Sequence, residues 1–381
     1  MSHAKLSPSG APAWARCPGK PAAEAPYPDE TSAFALEGTC AHALAEKCLI
    51  EGISAKSELG KTYRFDEGNW VVDEDMAHYV QTYVDEVMAI NQTSSFWQVE
   101  VRVPIDHITG EPGAKGTTDF AALEFADGLA ILRVHDLKYG KGVKVEAYQN
   151  YQALMYALGT FREFEHLLDG VEHCVVEIYI HQPRLSHLPD WSLSLDELKE
   201  WGEFLTNAAK KASAPGAPRI PGEKQCRFCK HKHVCPELLA LVEENTANTV
   251  ESKPESLARV LPNLKMIRDW CASVEAKSIE MLETGHEIPG WKLVEGRRTR
   301  RWSADESTVV AALEKAGIGI DDLYEKKLIS VATACKKLGK SKEKDVESIV
   351  EWGSGKPTIA SEDDRRPAIN PAESLGFSNL T

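Results

Sequence analysis

The chain has 381 residues, enough for two or three domains, and its 43% hydrophobic content supports packed cores and excludes wholesale disorder. With 44 Lys and Arg against 58 Asp and Glu, the formal net charge of −14 excludes holding a polyanion by bulk charge, so any nucleic-acid contact needs local basic patches. No apolar run approaches the roughly 18 residues of a membrane span and none follows the opening Met1-Ser2-His3-Ala4-Lys5, which predicts a cytoplasmic protein with no membrane partner; its nine cysteines are then expected as thiols or metal ligands.

Residues 5–30, rich in Pro, Ala and Gly, read as an ordered-to-irregular lead-in. Apolar spacing predicts a helix from Ser32 to Ile50, carried by Phe34, Leu36, Leu44, Ala45, Cys48 and Leu49. A second helix is predicted from Asp73 to Asn91, carried by Val80, Tyr83, Val84, Val87 and Met88. The period then changes. Trp97 to Val103 alternates as a half-buried strand does, and Thr117–Phe125 and Leu129–Lys138 follow as strands joined by the hairpin signal Asp127-Gly128. A long helix over Val145–Leu168 and a buried strand over Cys174–Ile180 come next, and Ser194 with Glu197 forms a capping-box pattern opening a helix to about Lys211. This order predicts a mixed α/β domain in which a hairpin feeds a crossover helix. A basic stretch rich in Pro and Gly, 210–222, leads to a cysteine group at 226–235. Residues 243–256 read as a linker, which sets domains at 1–242 and 257–381. The second is predicted to be smaller and mainly helical, of unknown role, with a helix over Leu264–Leu282, an Arg297-Arg298-Thr299-Arg300-Arg301 turn beside Trp302, and a helix capped by Ser303 with Glu306.

Asp119 and Asp136 are each eight residues from the Asp127-Gly128 turn, so the hairpin would set them opposite one another at its open end. Facing carboxylates repel and ask for a cation, and hard oxygen ligands suit Mg²⁺ or Mn²⁺. Asp136 and Lys138 share one strand face; Leu137 points the other way, which leaves its carbonyl near the cation. A lysine there can orient an attacking water or stabilise a phosphate oxygen. Alone, such an Asp-x-Lys is more often a cross-strand salt bridge.

Further residues stand in order around this pair: His42 in a helix, Glu100 in a strand, and Gln152 and Tyr156 four apart on one helix face. The ordered set of helical His, strand Glu, Gly116-x-x-Asp119, Asp136-x-Lys138 and Gln152-x-x-x-Tyr156 resembles the RecB-like branch of the PD-(D/E)XK nucleases over residues 5–240. The resemblance implies a mixed central sheet flanked by helices. It implies that His42, Asp119, Asp136 and the Leu137 carbonyl bind the catalytic metal and that Lys138 positions the nucleophilic water. Gln152 and Tyr156 would contact the DNA backbone or support the site, and Glu100 would be a further ligand or a structural acid.

Cys226-x2-Cys229-x5-Cys235 has metal-site spacing. Read locally, it is a zinc site with His231 or His233 as fourth ligand. The resemblance implies another assignment. Nucleases of the AddB and CRISPR-adaptation type carry one cysteine before the core and three after it on a [4Fe–4S] cluster; Cys17, Cys226, Cys229 and Cys235 fall in those places, and Leu6-Ser7-Pro8-Ser9 resembles that family's opening. Cys40, Cys48, Cys174, Cys271 and Cys335 read as core thiols.

Lys141 and Lys144, with Gly140 and Gly142 between and beside them, and a basic run that includes Arg227 and Lys230 are candidate DNA contacts. The expectation is a Mg²⁺- or Mn²⁺-dependent deoxyribonuclease, an exonuclease on single- or double-stranded DNA. The resemblance extends to a phage and prophage family, which implies phage recombination or DNA processing in a bacterial cytoplasm, with a recombination partner or a second copy of the chain as possible company. The alternatives are a non-catalytic nucleic-acid-binding module and a zinc-stabilised interaction protein.

Overall fold

The computed structural model describes residues 4–28, 32–126, 128–247, 253–292, 294 and 306–315. In chain order the elements begin with α1 (Ala11–Trp14), α2 (Lys20–Glu24), α3 (Ala33–Glu51), β1 (Thr62–Phe65), β2 (Gly68–Val71), α4 (Glu74–Ile90), β3 (Phe96–Pro104), α5 (Asp106–Thr109), β4 (Lys115–Ala126) and β5 (Leu129–Leu137). They continue with α6 (Tyr151–Phe164), β6 (His173–His181), β7 (Asp190–Ser194), α7 (Leu195–Ser213), α8 (Glu223–Cys226), α9 (Pro236–Ala247), α10 (Pro254–Val260), α11 (Leu264–Glu283) and α12 (Glu306–Lys315).

The fold is α/β, with a mixed sheet of order β3-β4-β5-β6-β7 flanked by helices. All neighbours are antiparallel except β5 and β6, which run parallel because α6 carries the chain back between them. Strand alternation sorts the apolar residues onto two faces. Ala121, Leu123, Leu132 and Val134 pack with Leu154, Met155 and Leu158 of α6 and Leu198 and Leu205 of α7. Phe120, Ala122 and Leu137 face the other way and pack with Cys40, Leu44 and Cys48 of α3 and Met76, Val80, Tyr83 and Val87 of α4.

The helices that carry this second face are sharply begun. Ser32 Oγ accepts from Ala35 N at 3.1 Å to cap α3, which stops at Gly52 with φ 64°. Asp73 accepts from Met76 N at 2.7 Å to cap α4. The capping box at Ser194 and Glu197 opens α7 as expected. One predicted helix is shorter. Of the span Val145–Leu168, only Tyr151–Phe164 is α-helical, because Gln149 sits at φ 54° and the Asn150 side chain caps by accepting from Gln152 N and Ala153 N. The β1–β2 hairpin and edge strand β7 were not expected.

Two compact units divide the chain, Met1–Leu293 and Val294–Thr381, and α12 is the described element of the second. The linker expected over 243–256 overlaps α9, which runs to Ala247, and α10, which starts at Pro254; both belong to the first unit. Asp127, Arg297, Arg298, Arg300, Arg301, Trp302, Ser303 and Cys335 lie outside the described residues. No helix among the described residues is long and apolar enough to cross a membrane.

Candidate functional site

The β4–β5 register runs from Ala126↔Leu129 to Phe120↔His135, and one step further sets Asp119 opposite Asp136 at the open end. Leu137 packs into the α3–α4 core, as alternation required, and its N–H donates to Asp119 Oδ2 at 2.6 Å. The other Asp119 oxygen lies 3.2 Å from His42 Nδ1 on α3. Beside them on β3, Glu100 stands at φ 51°, a left-handed conformation in mid-strand. Such backbone costs on the order of 1 kcal/mol for a side chain other than glycine and concentrates at functional sites. The ligand atoms of His42, Glu100 and Asp119 all lie within 4.8 Å of one another.

Asp136 takes a different partner. It is buried, and Lys138 Nζ lies 2.9 Å from its Oδ1 and 2.7 Å from its Oδ2. The backbone N–H of Lys138 donates to the His181 carbonyl at 2.8 Å, which ties the end of β5 to β6. On α6, Gln152 Nε2 donates to Tyr156 OH at 3.1 Å. The Tyr156 ring lies against β4 at Gly116, where a Cβ would come within 3.1 Å of Cε1, so glycine allows the approach.

The electrostatics follow from this crowding. Burial works to raise Asp119, but the charge and hydrogen bond of His42, with Lys138 and the Leu137 N–H, hold its carboxyl below the usual range. Burial works to lower His42, yet Asp119 outweighs it and lifts the imidazole to about 9. Burial and then the Asp119 charge push Glu100 up to about 7. Asp136 is also pushed up by burial, which the Asp119 charge reinforces and Lys138 opposes. Carboxyl groups are thus packed more densely than the neighbouring cations neutralise, and a divalent cation fits that donor set.

The four cysteines come together from distant parts of the chain. Cys17, Cys226, Cys229 and Cys235 line one small cavity with Lys20, Ile220 and Leu238. Ile220 N donates to Cys17 Sγ at 3.2 Å and Gly222 N to Cys226 Sγ at 3.4 Å. Met266 and Trp270 of α11 pack around Cys226, Cys235 and Leu238. A tetrahedral zinc with bonds of about 2.3 Å holds its sulfurs about 3.8 Å apart. Among the described residues, no three ligand atoms of these cysteines and histidines fall within 4.8 Å of one another. The histidines are also engaged: His231 meets Tyr27 OH at 3.2 Å and Arg219 Nη1 at 3.3 Å, and His233 Nδ1 lies 3.1 Å from the Lys230 carbonyl. Four cysteine sulfurs lining one cavity are a soft donor set that suits a thiolate-bound metal ion or cluster.

The sequence pattern of the family described as "Protein of unknown function (DUF2800)" matches residues 3–367. The chain belongs to that family. A solved structure described as "Crystal structure of SSO0001" is similar at 13% identity over 53% of this chain and 98% of that chain, with a TM-score of 0.22.

Lys141 and Lys144 are exposed on the loop after β5, where the Gln182 side chain accepts from Val145 N at 2.7 Å and donates to the Val143 carbonyl at 2.8 Å. Arg227 lies over the exposed Phe228 ring at 5.3 Å. Lys230 is engaged at home, its N–H on Glu24 Oε1 at 2.8 Å and its Nζ on the Pro28 carbonyl at 2.8 Å. Sequence reasoning missed Glu46 and Tyr83, which line the same small pocket as His42, Glu100, Asp119 and Leu137. Glu46 is four residues after His42 on α3, a spacing that could have drawn attention to it. It also missed the buried chain behind the site: Asn91 Nδ2 to His135 Nε2 at 3.0 Å, His135 Nδ1 to His181 Nε2 at 2.9 Å, and His181 Nδ1 to Glu86 Oε2 at 3.1 Å.

Proposed function

We propose that this chain is a divalent-metal-dependent deoxyribonuclease of the RecB-like PD-(D/E)XK kind, acting as an exonuclease, with a [4Fe–4S] cluster stapling its first unit. The observation that carries the reading is the convergence of His42, Glu100 and Asp119 beside the Asp136–Lys138 pair. His42, Asp119 and Glu100 would hold the cation, joined by Asp136 and, as the sequence resemblance implies, the Leu137 carbonyl. A cation bound there supplies charge for the scissile phosphate and makes water a competent nucleophile near neutral pH. Lys138, held by Asp136, orients that water or neutralises a phosphate oxygen. Gln152 and Tyr156 face the acidic group from α6 and offer a phenol and an amide to the DNA backbone. Lys141, Lys144 and Arg227 are exposed or half-buried cations for phosphates further along the strand.

Cys17, Cys226, Cys229 and Cys235 would ligate the cluster, tying the start of the chain to the segment after α7. The setting we infer is phage recombination or DNA processing in a bacterial cytoplasm, resting on the sequence resemblance. The test uses end-labelled linear duplex and single-stranded DNA with Mg²⁺, Mn²⁺ or EDTA, beside Asp136→Ala and Lys138→Ala. Metal-dependent degradation lost in both variants supports the reading. A cluster-loaded protein that cuts under no metal overturns it.

A further inference from the structure

The pocket shared by His42, Glu100 and Asp119 has one polar atom that the ligand set does not explain. Tyr83 of α4 is buried, and its hydroxyl has no hydrogen-bond partner among the described residues. Its ring is fixed edge-on against His181 at 5.0 Å and 84°, so the hydroxyl is held in place by packing. It lines the pocket with Glu46, Glu100 and Asp119, and it feels the charges of Asp119, Asp136 and Glu100. A phenol carries one donor and acceptor lone pairs, and leaving both unmet inside a protein costs more than a phenylalanine of the same shape. An orphaned hydroxyl beside a cluster of acids is therefore explained by a rearrangement of those acids when a cation binds.

We propose that Tyr83 is a positioning residue for a divalent cation in the His42–Glu100–Asp119 pocket, its hydroxyl holding a carboxylate of that set in the orientation it takes when the cation binds. The inference rests on the metal-dependent reading above and deepens it. Burial and the surrounding carboxylates keep the phenol protonated, so it stays a donor while the pocket is negatively charged. The hydroxyl then donates to a carboxylate oxygen that the bound cation turns towards it, a bond the metal-free site lacks.

The test is Mn²⁺ binding to the full chain by titration calorimetry, with thermal unfolding in EDTA alongside, for wild type, Tyr83→Phe and Asp119→Ala. Tyr83→Phe is expected to weaken Mn²⁺ binding about three- to tenfold, the worth of one hydrogen bond, and to leave the metal-free Tm unchanged or higher. Its Mn²⁺ electron paramagnetic resonance line shape should also change, which a role in packing alone would not produce. Equal Mn²⁺ affinity in wild type and Tyr83→Phe, with Asp119→Ala impaired, overturns the role of Tyr83 and leaves the metal reading standing. A wild type that binds no Mn²⁺ overturns both. A metal-free Tm that falls in Tyr83→Phe with unchanged affinity assigns the hydroxyl to the fold.

Discussion

The acidic site and the cysteine site are built on opposite plans. His42, Glu100, Asp119 and Asp136 sit on neighbouring strands and the helix packed over them, so the sheet register and the packing of α3 bring them together. The four cysteines come from a turn near the start of the chain and a segment after α7, and little backbone pairing joins those ends beyond Gly19 N donating to the Pro218 carbonyl at 2.8 Å. The acidic site is positioned by the fold whether or not it is filled. On the proposed reading, the cysteine site would help position the fold when it is filled. Function should therefore fail at the first without loss of structure, and structure should fail at the second before function does.

The largest expected effect breaks the first region alone. Asp119→Ala should lower metal-dependent DNA cleavage by more than about a hundredfold, since it removes the ligand that both His42 and the Leu137 N–H hold. Its far-ultraviolet circular dichroism and its iron content should match wild type. A variant that loses activity and unfolds together would show that the acids are structural.

Cys17→Ser inverts the outcome. It should strip iron from about four per chain toward none, remove the visible absorption, and lower stability by up to about 4–5 kcal/mol, the scale of a cross-link closing a long loop. EDTA at a level that empties the acidic site should leave the visible absorption in place. Iron retained in Cys17→Ser, or zinc in its stead, would break the contrast between the two regions.

These two regions were also legible to different degrees. The hairpin could be read because Asp119 and Asp136 are equally spaced about one Asp-Gly turn, and that spacing survives in the register. Helices α3, α4 and α7 could be read because Ser32, Asp73 and Ser194 cap them with their own side chains. The β1–β2 hairpin escaped because its strands are four residues each, too short for alternation to stand out. Edge strand β7, Asp-Trp-Ser-Leu-Ser, has the polar look of a loop because it pairs on one side only. The false start of α6 at Val145 arose from apolar spacing that Gln149 and Asn150 interrupt, and only Asn150 carries a sequence signal. Nothing in the sequence announced that Glu100 would leave the extended region or that the Tyr83 hydroxyl would be buried unmatched. Both depend on neighbours far along the chain.

A smaller effect sharpens the account of the acids through pH. Without a cation, Glu100 is raised from 4.5 to about 7 and His42 from 6.5 to about 9. A raised group stabilises the fold below its unfolded value and loses that contribution as pH climbs through its folded value. In EDTA, the Tm contribution of this pair should therefore fall from about pH 5 to pH 9. Cation binding should run the other way, tightening as Glu100 and then His42 release their protons. Titration of Mn²⁺ at pH 6, 7, 8 and 9 measures it, and a flat affinity would remove Glu100 and His42 from the ligand set.

The smallest effect concerns strain at Glu100. Its φ of 51° is comfortable for glycine and costly for any side chain. Glu100→Gly and Glu100→Ala both delete the carboxylate and should weaken Mn²⁺ binding alike. They should differ in stability, because alanine keeps the strained backbone and glycine releases it. The relief, roughly 1–2 kcal/mol, is offset in part by the 0.5–1 kcal/mol that glycine loses in unfolded-chain entropy. Urea unfolding in EDTA should thus find Glu100→Gly more stable than Glu100→Ala by about 1 kcal/mol. Equal stability would mean that the left-handed turn is set by the glutamate side chain and relaxes when it is gone. A more stable glycine variant with no cation affinity would show that β3 is held in an unfavourable conformation to bring one carboxylate to His42 and Asp119.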